Sequence, residues 1–166
     1  MSFQANGYLP PGFHDWSLQE FEMCLVAAFP SSISRTDIAK GYEQLRTILT
    51  TILASSEHWL DGSFCTTKVD PNDLDLLITA NSHQIDLLSD SEQKVLSSLV
   101  NGPQTKTAFR CDSYFCPTVP DNDPHAAFWS SRKAYWLKQF GFDRSGTAKG
   151  MVRLAVSSPS VKGPTI

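Results

Sequence analysis

The chain has 166 residues, 41% of them hydrophobic and 19% charged, with a formal net charge of −3. That length suits one domain with a sizeable core, and the acidic balance argues against holding long nucleic acid by counterion release alone. No apolar run reaches the length of a membrane span, and the start, MSFQANGYLPPG, lacks the basic and apolar regions of an export signal. The expectation is a cytoplasmic protein that meets no membrane. Four cysteines (Cys24, Cys65, Cys111 and Cys116) include no CxxC pair and read as buried, reduced thiols, not as zinc ligands or disulfides.

Residues 1–15 hold Gly7, Pro10, Pro11 and Gly12 and are expected to be extended and irregular, with Tyr8, Leu9 and Phe13 laid against the body. Ser17 followed by Glu20 is a capping box for a helix carrying Phe21, Leu25, Val26 and Phe29, closed by Pro30. A longer helix follows, with Ile38, Tyr42, Leu45, Leu49, Ile52 and Leu53 at spacings of three and four. Gly41 inside it suggests a close approach to a neighbour.

His58-Trp59-Leu60 reads as the end of a strand that runs into Gly62-Ser63. Nine residues then separate this turn from Asp73-Leu74-Asp75, which opens the apolar run Leu76, Leu77 and Ile78. Side chains alternate along a strand, so Asp73 and Asp75 project one way while Leu74 and Leu76 project into the core. Two parallel carboxylates repel each other unless a cation lies between them, and hard oxygen ligands suit Mg²⁺ or Mn²⁺. Lys68, in the intervening loop, is either a cation for a phosphate or a solvated loop lysine.

Ser82 to Val100 reads as one helix with a face of Leu88, Val95, Leu96, Leu99 and Val100, ended by Asn101-Gly102-Pro103. Residues 105–119 alternate as a strand bounded by Pro117 and Pro120, with Ala108, Arg110, Asp112 and Tyr114 on one face. Asp112 is thus either a third carboxylate for the site or an edge-strand aspartate, solvated or paired with Arg110. His125 to Phe140 reads as a helix whose aromatic residues (Phe128, Trp129, Tyr135, Trp136, Phe140) serve as core rather than as a base-stacking platform. Gly150 to Val156 is a last strand, and Arg144 and Lys149 before it could meet phosphate or a partner but read better as a solvated face. The segment 1–157 is expected to form the domain, with 158–166 as a flexible tail. His14, His58, His83 and His125 show no metal-ligand spacing.

The Gly62-Ser63 turn, the nine-residue spacing and Asp73-Leu74-Asp75 with apolar flanks resemble the signature of the nucleotidyltransferase superfamily typified by DNA polymerase β. The wider frame (LPPGFH, WLDGSF, KVDPNDLDLL and FGFDRSGTAKGMVRL) is similar to minimal, stand-alone bacterial members, some of them halves of toxin–antitoxin or phage-defence pairs. The resemblance implies an α/β (α+β) mixed sheet of about four or five strands, helices mainly on one face. It implies triphosphate contacts from Gly62 and Ser63, and Mg²⁺ (or Mn²⁺) held by Asp73, Asp75 and, as an acid on a later strand, Asp112; Lys68, by its place in the loop, is the candidate cation for the triphosphate. The activity it implies is nucleotidyl transfer from an NTP such as ATP to a hydroxyl acceptor on a protein or small molecule. Two rival readings keep the fold without turnover: an antitoxin-like protein that binds a protein partner, and a nucleotide sensor.

Overall fold

Ser17 and Glu20 form the reciprocal capping box, each side chain bonding the other residue's backbone N–H. The helix they start runs on as a π-helical turn, Met23–Ala27. A computed structural model describes residues 3–158, so all of the expected tail but Ser158 lies outside the described residues. The elements are β1 (Gly12–Asp15), α1 (Leu18–Glu22), α2 (Arg35–Ile52), β2 (Ser55–Asp61) and β3 (Leu74–Thr79). They continue with α3 (Ser82–Asp86), α4 (Asp90–Leu99), α5 (Pro103–Phe109), β4 (Cys111–Phe115), α6 (Ala126–Gly141) and β5 (Gly150–Ser157).

The strands make one mixed sheet in the order β1-β5-β2-β3-β4. β2 is antiparallel to both β3 and β5, whereas the two edge strands run parallel to their neighbours. A parallel neighbour needs a long crossover, and α3, α4 and α5 supply it between β3 and β4. The expected mixed α/β sheet with helices mainly on one face is what the chain forms.

Alternation along the strands divides the apolar residues between two cores. Leu60, Leu74, Leu76, Ile78, Cys111 and Val152 face the main core with Phe21 and Leu25 and with Ile38, Tyr42, Leu45 and Leu49 of α2. Trp59, Leu77 and Met151 face the other side, where Trp136 and Phe140 of α6 cover them. The aromatic helix is therefore partly core, while Phe128 and Tyr135 stay exposed. Gly41 lies against the backbone of Phe109, whose carbonyl carbon stands 2.6 Å from where a Cβ would be. That fit joins α2 to α5.

Arg35, only 1% exposed, spends its guanidinium on five backbone carbonyls. Nη1 donates to Leu25 and Phe64, Nη2 to Thr66 and Lys68, and Nε to Val69, at 2.7–3.3 Å. The planar fork of donors thereby fastens the loop after Gly62 onto α2.

Four expectations are corrected. The N-terminal segment is not wholly irregular: Gly12–Asp15 is an edge strand, although Leu9 is buried as anticipated. The helix expected over 82–100 is two helices, because Ser89 and Glu92 form a second capping box inside the apolar period. The strand expected over 105–119 spans only Cys111–Phe115. Residues 103–109 are helical instead, since Pro103 opens a helix at its first turn rather than closing one. Finally, Cys24 is half-buried, while Cys65, Cys111 and Cys116 are buried, and all four are free thiols.

Candidate functional site

β2 ends at Asp61, and Gly62 turns the chain with φ +78° and ψ −165°, a conformation that residues with a Cβ rarely adopt. The turn brings the backbone against the Asp75 side chain, whose Cγ would lie 2.9 Å from a Cβ on Gly62. Asp75 faces Asp61 in the β2–β3 register and Asp112 in the β3–β4 register. Three carboxylates thus stand in one row across three adjacent strands, with Asp73 just before β3 beside them. All four line one open cleft of about 1030 Å³, together with Gly62 and Ser63.

Two lysines meet this charge. Lys149 is buried and its Nζ donates to Asp61 Oδ2. Lys106, on α5, reaches Asp73 Oδ2 at 2.7 Å and Asp112 Oδ2 at 2.9 Å. Burial pushes the Asp61 carboxyl up to about 6 against the pull of Lys149. Asp75 is raised as well, first by burial and then by the charges of Asp73 and Asp112. Hydrogen bonds to Asp73 and Asp112 hold Lys106 firmly protonated, above the usual lysine range. The cleft is also lined by Lys138 of α6 and by Phe142 and Arg144 of the loop after it, which Tyr8 braces by donating to Asp143 Oδ2 at 2.9 Å.

Of the residues singled out from sequence, Gly62, Ser63, Asp73, Asp75 and Asp112 come together at this cleft. Lys68 does not: it is exposed outside the lining, and its carbonyl serves Arg35. Asp112 lies on the edge strand but pairs with Lys106, not Arg110. Lys149 is no solvated residue, as the Asp61 pair shows, whereas Arg144 is exposed. Sequence reasoning missed Asp61, Lys106 and Lys149. Only Asp61 carried a local signal, its position directly before the Gly-Ser turn.

A hard divalent cation fits these donors. Among the described residues Asp61 Oδ1 and Asp112 Oδ1 are buried with no hydrogen-bond partner, a costly state for a carboxylate oxygen that a cation would relieve. Among the described residues no three His, Cys, Asp or Glu side chains already form a metal cage. Mg²⁺ does not require one, because it commonly takes one or two carboxylates and completes its shell with water and substrate phosphate.

The fold and cleft define an α+β protein with an in-register row of aspartates beside a glycine turn. A family model matches residues 1–155, and the chain belongs to that family, described as Family of unknown function (DUF6932). No curated protein and no solved structure matches the chain. Among the described residues no helix is long and apolar enough to cross a membrane.

Proposed function

We propose that the cleft binds a nucleoside triphosphate with Mg²⁺ or Mn²⁺ and transfers its nucleotidyl group to a hydroxyl on a protein or small molecule. The observation that carries this reading is the row Asp61, Asp75 and Asp112, set in register beside Gly62 and Ser63. Asp73, Asp75 and Asp112 would hold Mg²⁺ between them, one or two carboxylates to an ion, and the bound metal would neutralise triphosphate charge and activate the acceptor oxygen. Gly62 leaves room for backbone N–H groups to approach phosphate oxygens, and the Ser63 hydroxyl adds a donor. In the transfer the acceptor oxygen bonds to the α-phosphorus and the bond to the bridging oxygen breaks, releasing pyrophosphate. Asp112, with its unpartnered Oδ1, takes the acceptor's proton.

One observation favours a second reading, a protein that binds a partner or nucleotide without turnover. Lys106 pairs with both Asp73 and Asp112 and offsets part of their charge from within the chain. Thermal shift and product analysis separate the two. With Mg²⁺ and each labelled NTP, the wild type is expected to gain melting temperature, since a ligand bound only to the native state stabilises it. Asp73→Asn with Asp75→Asn removes that gain; Asp112→Asn keeps most of it but releases no pyrophosphate. Equal shifts in the wild type and the double variant refute the site, and NTP binding without pyrophosphate release in the presence of cell extract supports the second reading.

A further inference from the structure

The two lysines at the carboxylate row are held in different ways. Lys149 is buried beside β5, and only 10% of its side chain is exposed. Lys106 stands on the seven-residue helix α5 with 38% of its side chain exposed. Its ammonium lies within hydrogen-bond distance of one oxygen each of Asp73 and Asp112, at 2.7 and 2.9 Å. Those oxygens belong to two of the carboxylates assigned to the metal above, so Lys106 sits where a cation between them would sit.

We propose that Lys106 is an internal stand-in for the divalent cation, displaced when the ion arrives with a phosphate-bearing ligand. This inference rests on the metal–triphosphate reading and adds how the site selects its ligand. An ammonium and a divalent ion cannot share the same carboxylate oxygens without strong mutual repulsion. One of them must move, and the half-exposed lysine on its flexible four-carbon stem has the freedom to do so. Once displaced, the ammonium needs another anion. The carboxylates of the row are then committed, Asp73, Asp75 and Asp112 to the ion and Asp61 to Lys149. A phosphate oxygen of the incoming ligand answers that need. Free metal therefore enters against the cost of stranding Lys106, and a metal–polyphosphate complex does not. The cleft discriminates against free divalent ions, with Lys106 as the positioning and selectivity residue.

The test is Mn²⁺ binding followed by electron paramagnetic resonance, with and without inorganic tripolyphosphate. In the wild type, free Mn²⁺ is expected to bind weakly and tripolyphosphate to tighten it. Lys106→Gln removes the competitor and should bind free Mn²⁺ about 10-fold tighter or more, within the usual range of coupling between sites. The gain from tripolyphosphate should shrink in the same variant. Lys106→Met is a second neutral replacement, and circular dichroism melting verifies the fold of each. Lys106→Arg keeps the charge and should keep the wild-type pattern. Equal Mn²⁺ affinity in the wild type and both neutral variants overturns the inference and leaves the metal site standing. A charge-keeping variant that behaves like the neutral ones also overturns it. Absence of Mn²⁺ binding in every protein, with or without tripolyphosphate, overturns both the inference and the reading it rests on.

Discussion

Replacing Gly62 by alanine tests whether the turn shapes the carboxylate row. Gly62 has φ +78° and ψ −165°, a region reached almost only by glycine, and a residue with a Cβ held there costs about 1–3 kcal/mol. The new Cβ would also overlap Asp75 Oδ2 and stand 2.9 Å from its Cγ. Ordinary carbon–carbon contact is about 3.5–4.0 Å, so Asp75 must withdraw by about 1 Å or the turn must open. For a chain of this length each kcal/mol shifts the melting temperature by about 2–4 °C, giving an expected fall of about 2–12 °C. A displacement of about 1 Å in a reacting group costs roughly 100-fold in rate, so turnover should fall far more than stability. Gly12→Ala is the control, because Gly12 lies outside the cleft lining and has φ +110° with nothing within 4 Å of a Cβ among the described residues. It should show backbone strain alone and keep the thermal shift produced by Mg²⁺ and NTP. Gly62→Ala with wild-type melting temperature and wild-type ligand shift would refute the reasoning.

His58 is buried between Tyr42 Oη at 2.9 Å and Ser56 Oγ at 3.0 Å, and burial drives its pKa down to about 3. Because the folded value lies below the unfolded value of about 6.5, its stabilisation is complete above pH 6.5 and is lost as pH falls towards 3. His58→Gln should therefore lose most stability at pH 7, with the gap closing by up to about 1.4 kcal/mol per pH unit on acidification. Urea midpoints at pH 7, 5 and 4 read this, and a gap that stays constant with pH counts against it. Lys149→Met leaves Asp61 buried without its cation and should cost about 3–5 kcal/mol at pH 8. Removing the lysine also removes what holds the Asp61 carboxyl down, so the loss should shrink as pH falls from 8 towards 6, where the variant's carboxyl takes a proton, and adding Asp61→Asn should recover part of it. An unchanged urea midpoint for Lys149→Met at pH 8 would dismiss the pair as a structural feature.

What the sequence determined by itself is local. The Ser17–Glu20 box, the three-and-four spacing of α2 and the alternation after Asp73 each encode structure within a few residues, and each appears in the fold. The Gly-Ser turn and the three candidate aspartates were legible for the same reason, since a strand's two-residue period states which face a side chain takes. Where local signals competed, the reading failed. Pro103 marks either an end or a start, and Ser89 lies inside an unbroken apolar period, so α5 and the α3–α4 break were misplaced.

Tertiary structure decided the partnerships. β1 is four residues long and pairs with a strand more than a hundred positions away, which no pattern in its own residues announces. Asp61 and Lys149, 88 positions apart, meet because β2 and β5 are neighbours in the sheet. Lys106 reaches Asp73 and Asp112 because the helix that carries it turns directly into β4 through Arg110 at φ +56°. Register across β2, β3 and β4 set three aspartates in one row. Burial then took away water that would otherwise screen them, and so raised the carboxyls of Asp61 and Asp75 above the ordinary aspartate range.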